Sequence, residues 1–386
     1  MHEAASPATN APVRSTSHDA PLTIVGAGAI GGLAAAYIAR SGGRVQVADV
    51  NAEHVAAIND RGLVVNGLRG PFTARLRAYT LDELPAGLGL VALACKSQHT
   101  LDAVRAIAPK LAADGAVVSL QNGFNEEVIA AEIGAERTIG ALPDYGGAYL
   151  SPGVLEHTSD APLYLGELDG LSSERLQRLS ELFGLALEVV VTDDIWARLW
   201  AKEVYGLQVT LSALVDAPTR YVMGTPLFKG LAAVAVREGL TVTDAAGVVI
   251  PDGKYFEAKL YRDESPAGVR RLFDHIQRTA DLLAKHKERQ EAGGYTYTKK
   301  ASGIWWDIVY RKRKSEVAWL SGHLVAKARE LGVEVPVTEK LCEMIYEIEE
   351  GRRRMNTHNL DELAIFAEAV GRRVPSPPNN DAPSSV

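Results

Sequence analysis

One lysine set inside an apolar helical stripe is the residue of this chain best suited to moving a proton. Ile195, Leu199, Lys202, Gly206 and Val209 recur at helical spacing, and Lys202 alone is charged among them. An ammonium drawn out of water loses proton affinity, which predicts a lowered pKa and a group able to release its proton near neutral pH. The competing reading lays its methylenes along the core edge and lifts the charge into water. A second candidate is Glu316, four residues before Leu320, whose spacing turns it inward with Leu320, Leu324 and Leu331 on one helix face. An inward carboxylate needs a partner. A first-turn glutamate favoured by the helix dipole is the alternative.

The residues that could hold a cofactor come earlier. Gly26-Ala-Gly28-Ala-Ile-Gly31 follows the apolar run 22–25 and precedes an alanine-rich helix former. A strand, tight turn and helix in this order bring the backbone of Gly26, Gly28, Ala29, Ile30 and Gly31 against a pyrophosphate. Residues 44–49 alternate into a second strand closed by Asp49. An acid at that place binds ribose hydroxyls and repels a 2′-phosphate, which favours NAD over NADP. Further apolar runs at 88–95 and 116–120 read as central parallel strands. Ligands lie outside the carboxyl ends of such strands, so Lys96, Gln98, Gln121 and Asn122 are expected to face the cofactor. Taken singly, Lys96 suits a solvated loop and Asn122-Gly123 an ordinary turn just as well. Cys95 reads as a buried strand-end thiol, since no partnered histidine is evident.

The elements that must position these groups divide in two. Strand signals continue to residue 191, and Thr192-Asp193-Asp194 then offers an N-cap to a run of helical periodicity. We expect a leader at 1–20, a nucleotide-binding domain at 21–192, a helical domain at 193–372 and a disordered tail at 373–386. Trp196, Trp200, Leu207 and Leu211 suit a core face. Helices are expected at 228–246 and 269–286, with links around Asp252-Gly253 and Gly293-Gly294. Pro336 is expected to end the helix after Glu316, with later helices at 338–351 and 360–370. The basic run 311–314 reads as a solvated face, with phosphate contact the lesser reading.

The 386 residues suit two cores, and a net charge of −7 gives no footprint for nucleic acid. Two cysteines, Cys95 and Cys342, make neither a disulfide framework nor a zinc site, and no apolar run suits a signal peptide or a bilayer span. A cytoplasmic protein is expected. The nine histidines are scattered without metal-ligand spacing, so no metal is expected, and neither a G-x-S-x-G elbow nor a Walker A loop is present.

Order and spacing together resemble the ketopantoate reductase family (2-dehydropantoate 2-reductases) over residues 22 to about 351. The matching pieces are Gly26-Ala-Gly28-Ala-Ile-Gly31, Lys96-Ser-Gln98, Gln121-Asn122-Gly123, Ser151-Pro152-Gly153, Leu199-Trp200-Ala-Lys202 and Lys314-Ser315-Glu316 through Ser321-Gly322-His323. The resemblance implies an α/β Rossmann domain followed by an all-α domain like the C-terminal part of 6-phosphogluconate dehydrogenase, a cleft active site, a small-molecule substrate and a homodimer. It matches the family's catalytic lysine to Lys202, its acidic partner to Glu316, and nicotinamide-ribose positions to Lys96 and Asn122, with Gln98 beside them. Two pieces depart. The family's substrate asparagines fall at Gly206 and Thr210, and its carboxylate-binding serine is displaced to Ser302, two residues too far, with Trp305-Trp306 between. The expected activity is therefore hydride transfer between NAD(P)H and a 2-oxo acid or a bulkier carbonyl or secondary alcohol. A dinucleotide-binding sensor without catalysis is the alternative.

Overall fold

The two strands at the centre of the first half, Leu22–Val25 and Leu88–Leu93, are short and apolar because they are covered on both faces. The computed structural model describes residues 20–253, 256–292 and 301–377; residues 1–19, the Gly293-Gly294 link and the end of the expected tail lie outside them. The first half runs β1 (Leu22–Val25), α1 (Gly31–Arg40), β2 (Val45–Ala48), α2 (Ala52–Arg61), β3 (Leu63–Gly67), β4 (Phe72–Ala74), β5 (Arg77–Tyr79) and β6 (Leu88–Leu93). It continues through α3 (Thr100–Ile107), β7 (Leu111–Ser119), α4 (Asn125–Ile133), β8 (Thr138–Pro143), β9 (Gly146–Ser151), β10 (Val154–Ser159), β11 (Leu163–Glu167), α5 (Glu174–Gly184) and β12 (Val189–Val191).

Eight of these strands form one sheet in the order β12-β11-β8-β7-β6-β1-β2-β5. Pairing is parallel except between β8 and β11. All six residues of β6 are buried, as a central parallel strand requires. One apolar cluster, with α1 and α5, covers one face, and a second, built on Val104, Ile107 and Ile129 of α3 and α4, covers the other. A second sheet, β4-β3-β10-β9, packs beside α1. Its hairpin partners β3 and β4 carry no clear alternation.

The second half begins at α6 (Ile195–Ser212), capped by the Asp194 carboxylate accepting from the Ala197 N–H at 2.9 Å. There follow α7 (Thr219–Met223), α8 (Pro226–Ala245), α9 (Ala258–Arg262), α10 (Pro266–Ala292), α11 (Gly303–Trp305), a π-turn at Trp306–Tyr310, α12 (Ser321–Glu330), α13 (Pro336–Glu349) and α14 (His358–Ala369). Leu199, Trp200, Leu207 and Leu211 of α6 join Leu231, Val236, Leu324, Leu341 and Leu363 in one core.

Three expectations change here. Pro336 opens α13 at its first position, where a missing N–H costs nothing, so it begins a helix and does not end one. Glu316 precedes a 3₁₀ turn, Val317–Trp319, and α12 starts only at Ser321, so Glu316 is not a first-turn residue and Leu331 is exposed past the helix end. Residues 373–377 are not a loose tail: Val374 packs on the helical core and its N–H donates to Glu368 at 2.7 Å.

Candidate active site

The glycine turn between β1 and α1 divides its work among three glycines. Gly26 has φ +97°, and a Cβ there would lie 2.7 Å from the Ala94 carbonyl carbon. Gly31 is closed by packing, since a Cβ would meet Gly26 O at 2.2 Å and Ala94 Cβ at 2.6 Å. Gly28 differs, with no atom within 4 Å of a Cβ position, so its side of the turn is an open cradle. Ile30 at the N-cap of α1 supplies no side-chain cap, and the Gly32 N–H bonds back to Gly28 O at 2.8 Å. A pyrophosphate fits these features. Asp49, just past β2, accepts from the Ala27 N–H at 2.8 Å and the Asn51 N–H at 2.9 Å, which fixes its carboxylate beside the turn.

At the end of β6, Lys96 pairs with Glu316 and lies 3.2 Å from Asp307. Glu316 also accepts from the Ser97 N–H at 2.9 Å and the Ser97 hydroxyl at 3.2 Å. The inward carboxylate thus has its partners, all of them on the other half of the chain. Asp307 is buried and takes two further bonds from Arg313. Gln98 sits on the following 3₁₀ turn, its Oε1 buried and without a hydrogen-bond partner among the described residues. The Asn122 carbonyl accepts from Ser97 and Asn125 side chains, and Gly123 (φ +93°) brings the turn close enough to Trp319 O that a Cβ would stand 2.8 Å from it. Gln121 does not face the cofactor side: its amide donates inward to Cys95 O at 3.0 Å and Thr100 Oγ1 at 2.7 Å, because a buried amide must satisfy its donors. Burial pushes the Cys95 thiol up to about 12, leaving it protonated and unreactive.

Lys202 donates to Asp144 Oδ1 at 2.6 Å, with 29% and 32% of the two side chains exposed. Asp144 follows β8, and its neighbour Tyr145 donates to Ile30 O in the glycine turn at 3.0 Å. The lysine is therefore tied to the glycine turn through Asp144 and Tyr145. The lowered pKa expected for it is wrong in direction. Burial pulls the ammonium down, but the Asp144 carboxylate, by charge and hydrogen bond, with Tyr205 and Glu203 adding to it, carries the pKa above the ordinary lysine range. Glu203 is buried, and burial pushes its pKa up to about 8 against the opposing pull of Lys202; the charge of Glu316 raises it further. Lys202 and Glu316 are thus both within electrostatic reach of Glu203.

One turn along α6, a Cβ on Gly206 would meet nothing within 4 Å, so the helix is cut back to open space there. Thr210 does not share that space: it is 1% exposed and its hydroxyl is bonded to Ser321 at 2.7 Å. The Ser302 hydroxyl accepts from the Trp305 N–H as the cap of α11. Asp144 and Asp307 escaped the sequence reading. Asp144 follows the carboxyl end of β8 and obeys the rule that marks Lys96; Asp307 carries no local signal.

A doubly wound nucleotide-binding half, joined to a helical half that supplies a lysine and a glutamate across the junction, defines a dinucleotide-dependent oxidoreductase fold. The family model for ketopantoate reductase PanE/ApbA matches residues 22–170, and that for its C-terminal region matches residues 194–349. The chain belongs to the ketopantoate reductase family. It is 25% identical over 328 residues to the 2-dehydropantoate 2-reductase of Pyrococcus abyssi, covering 84% of this chain and 96% of that one. It is likewise 25% identical over 336 residues to that of Archaeoglobus fulgidus, with 86% and 98% covered. In fold it is similar to a D-mandelate dehydrogenase solved with NADH and anilino(oxo)acetate, at TM-score 0.71 and 19% identity over 86% of this chain and 99% of that one. It is also similar to a PanE/ApbA family ketopantoate reductase from Ralstonia eutropha JMP134, at TM-score 0.69 and 23% identity over 86% and 100%.

Proposed function

We propose that the chain reduces a 2-oxo acid, or a bulkier related carbonyl, and oxidises the matching secondary alcohol, using a nicotinamide dinucleotide and Lys202 as the proton donor. The reaction would take place between a nucleotide-binding domain at 21–192 and a substrate domain at 193–372. Gly26, Gly28, Ala29, Ile30 and Gly31 would cradle the pyrophosphate, with Lys96, Gln98 and Asn122 toward the nicotinamide end. The bound dinucleotide supplies or accepts the hydride. Lys202 Nζ hydrogen-bonds the carbonyl oxygen and gives it a proton as negative charge develops there. Asp144 keeps that ammonium charged between turnovers and aims it. Glu316 holds Lys96 and the Ser97 N–H at the cofactor side, and the Asp49 carboxylate favours NAD over NADP by accepting ribose hydroxyls and repelling a 2′-phosphate.

The observation that carries this reading is the Lys202–Asp144 pair, partly exposed and tied through Tyr145 to the glycine turn. A sensor without catalysis has no use for an ammonium held charged at that point. The open space at Gly206 supports a substrate larger than ketopantoate. Rates of NADH and NADPH oxidation across 2-oxo acids, from ketopantoate to phenylglyoxylate, test substrate and cofactor together. Lys202→Met is expected to lose a factor of about 10²–10⁴ in kcat while binding dinucleotide as before. A variant turning over at full rate overturns the assignment. We also propose a homodimer, which sedimentation equilibrium checks.

A further inference from the structure

Lys312, Arg313 and Lys314 are exposed as a solvated basic run should be, but Arg311 is not; it is half-buried and turned back toward the nucleotide-binding half. Its N–H closes the π-turn on Trp306 O at 3.0 Å, and Lys312, at φ +53°, bends the chain away immediately after it. The guanidinium donates to Tyr149 O at 3.1 Å and stands 5.4 Å from the centre of the Tyr149 ring. Tyr149 in turn packs edge-on against His54 at 5.0 Å and receives a bond from Asn51, two residues past Asp49. His54 Nδ1 accepts from the Gly153 N–H at 2.8 Å, so its Nε2 carries the proton and donates to Ala27 O of the glycine turn at 2.9 Å. Arg311 is therefore linked by two aromatic rings to the cradle at Gly28 and to the carboxylate at Asp49.

Its charge is left unanswered. Arg313 has Asp307, but Arg311 has no ion pair among the described residues, and only one of its N–H groups is used, on a neutral carbonyl. Burial and the neighbouring Arg313 both oppose its charge, while Asp307, Tyr149 and Tyr310 favour it without forming an ion pair with it. A half-buried guanidinium beside a second cation calls for an anion, and its planar fork matches two phosphate oxygens. We propose that Arg311 is a phosphate clamp supplied by the helical half, closing on a phosphate of the dinucleotide that lies on the glycine turn. This rests on the reading that the chain binds such a dinucleotide. The phosphate is either the pyrophosphate or the 2′-phosphate of NADPH, and both present the same chemistry to the fork.

Titrating the full chain with NADH, NADPH and adenosine, followed by fluorescence or calorimetry, tests the clamp in wild type, Arg311→Met, Arg311→Lys and the exposed control Lys314→Met. The clamp predicts that Arg311→Met weakens nucleotide binding roughly tenfold or more, that Arg311→Lys recovers part of the loss, and that adenosine binding and Lys314→Met are unaffected. Equal loss for NADH and NADPH assigns the pyrophosphate; loss for NADPH alone assigns the 2′-phosphate. Circular dichroism and the unfolding midpoint of Arg311→Met keep misfolding apart from lost contact. A folded Arg311→Met that binds both nucleotides within twofold of wild type overturns the clamp alone. A wild type that binds neither overturns the parent reading and the clamp with it.

Discussion

At the scale of single residues, the direction of a titration depends on one neighbour. Lys202 lies in a setting that lowers a lysine, and Asp144 reverses the outcome. Asp144→Asn removes that charge, so the Lys202 pKa falls and the alkaline limb of kcat for carbonyl reduction moves to lower pH. A limb that does not move would show that Asp144 has no part in holding the proton. Glu126 is a second case. It is fully buried, Ser119 and the Ala141 backbone come near without reaching hydrogen-bond geometry, and burial pushes its pKa from 4.5 up to about 8. Between those values the folded chain keeps a proton that the unfolded chain has lost, so the contribution of Glu126 to stability is fully present below about 4.5 and declines as pH rises through 8. Glu126→Gln is expected to flatten that decline and to be the more stable form at pH 8.5, as read by urea midpoints across the range.

At the scale of elements, the crossing of β1 with α1 and the face of α6 behave oppositely toward added atoms. Gly31→Ala forces a methyl against Gly26 O and Ala94 Cβ, so the crossing must open. Overpacking of this kind costs about 1–3 kcal/mol, and nucleotide affinity should fall with it; an unchanged melting temperature and Kd would contradict the packing. Gly206→Asn adds a side chain where there is room, and a glycine inside a helix is itself destabilising. The variant should be no less stable than the wild type, while KM rises for bulky 2-oxo acids and not for small ones. An equal effect on both would mean that the opening at Gly206 is not part of the substrate site.

At the scale of the whole molecule, the two halves are joined through the groups assigned to chemistry. Lys96 and Ser97 meet Glu316, Asp144 meets Lys202, and the Gly123 turn lies against Trp319. Glu316 is only 8% exposed, and removing it takes the acceptor from the buried Ser97 N–H and leaves Lys96, whose side chain is 34% exposed, with Asp307 alone. A buried donor left without its acceptor costs about 1–3 kcal/mol. Glu316→Ala is thus expected to lower the melting temperature and split one calorimetric transition into two, as the halves uncouple. A single transition at the wild-type temperature would show that this bridge does not couple them.

Sequence alone determined what is written in local pattern: the glycine spacing with Asp49 after it, the all-apolar β6, the Asp194 cap, and the change from strands to helices beyond residue 191. These are set by backbone sterics and periodic burial over a few residues, so short windows contain them. It also marked Lys202 and Glu316, but not what each would touch. Partners such as Asp144, Asp307 and Tyr149 lie 58 to more than 200 positions away from the residues they serve, or carry no periodic signal. Only the tertiary structure could bring Asp144 to Lys202, turn Gln121 inward, bury Thr210 against Ser321, and lift Arg311 out of a basic run toward the glycine turn. Charge state and donor satisfaction depend on neighbours in space, and folding alone chooses those neighbours.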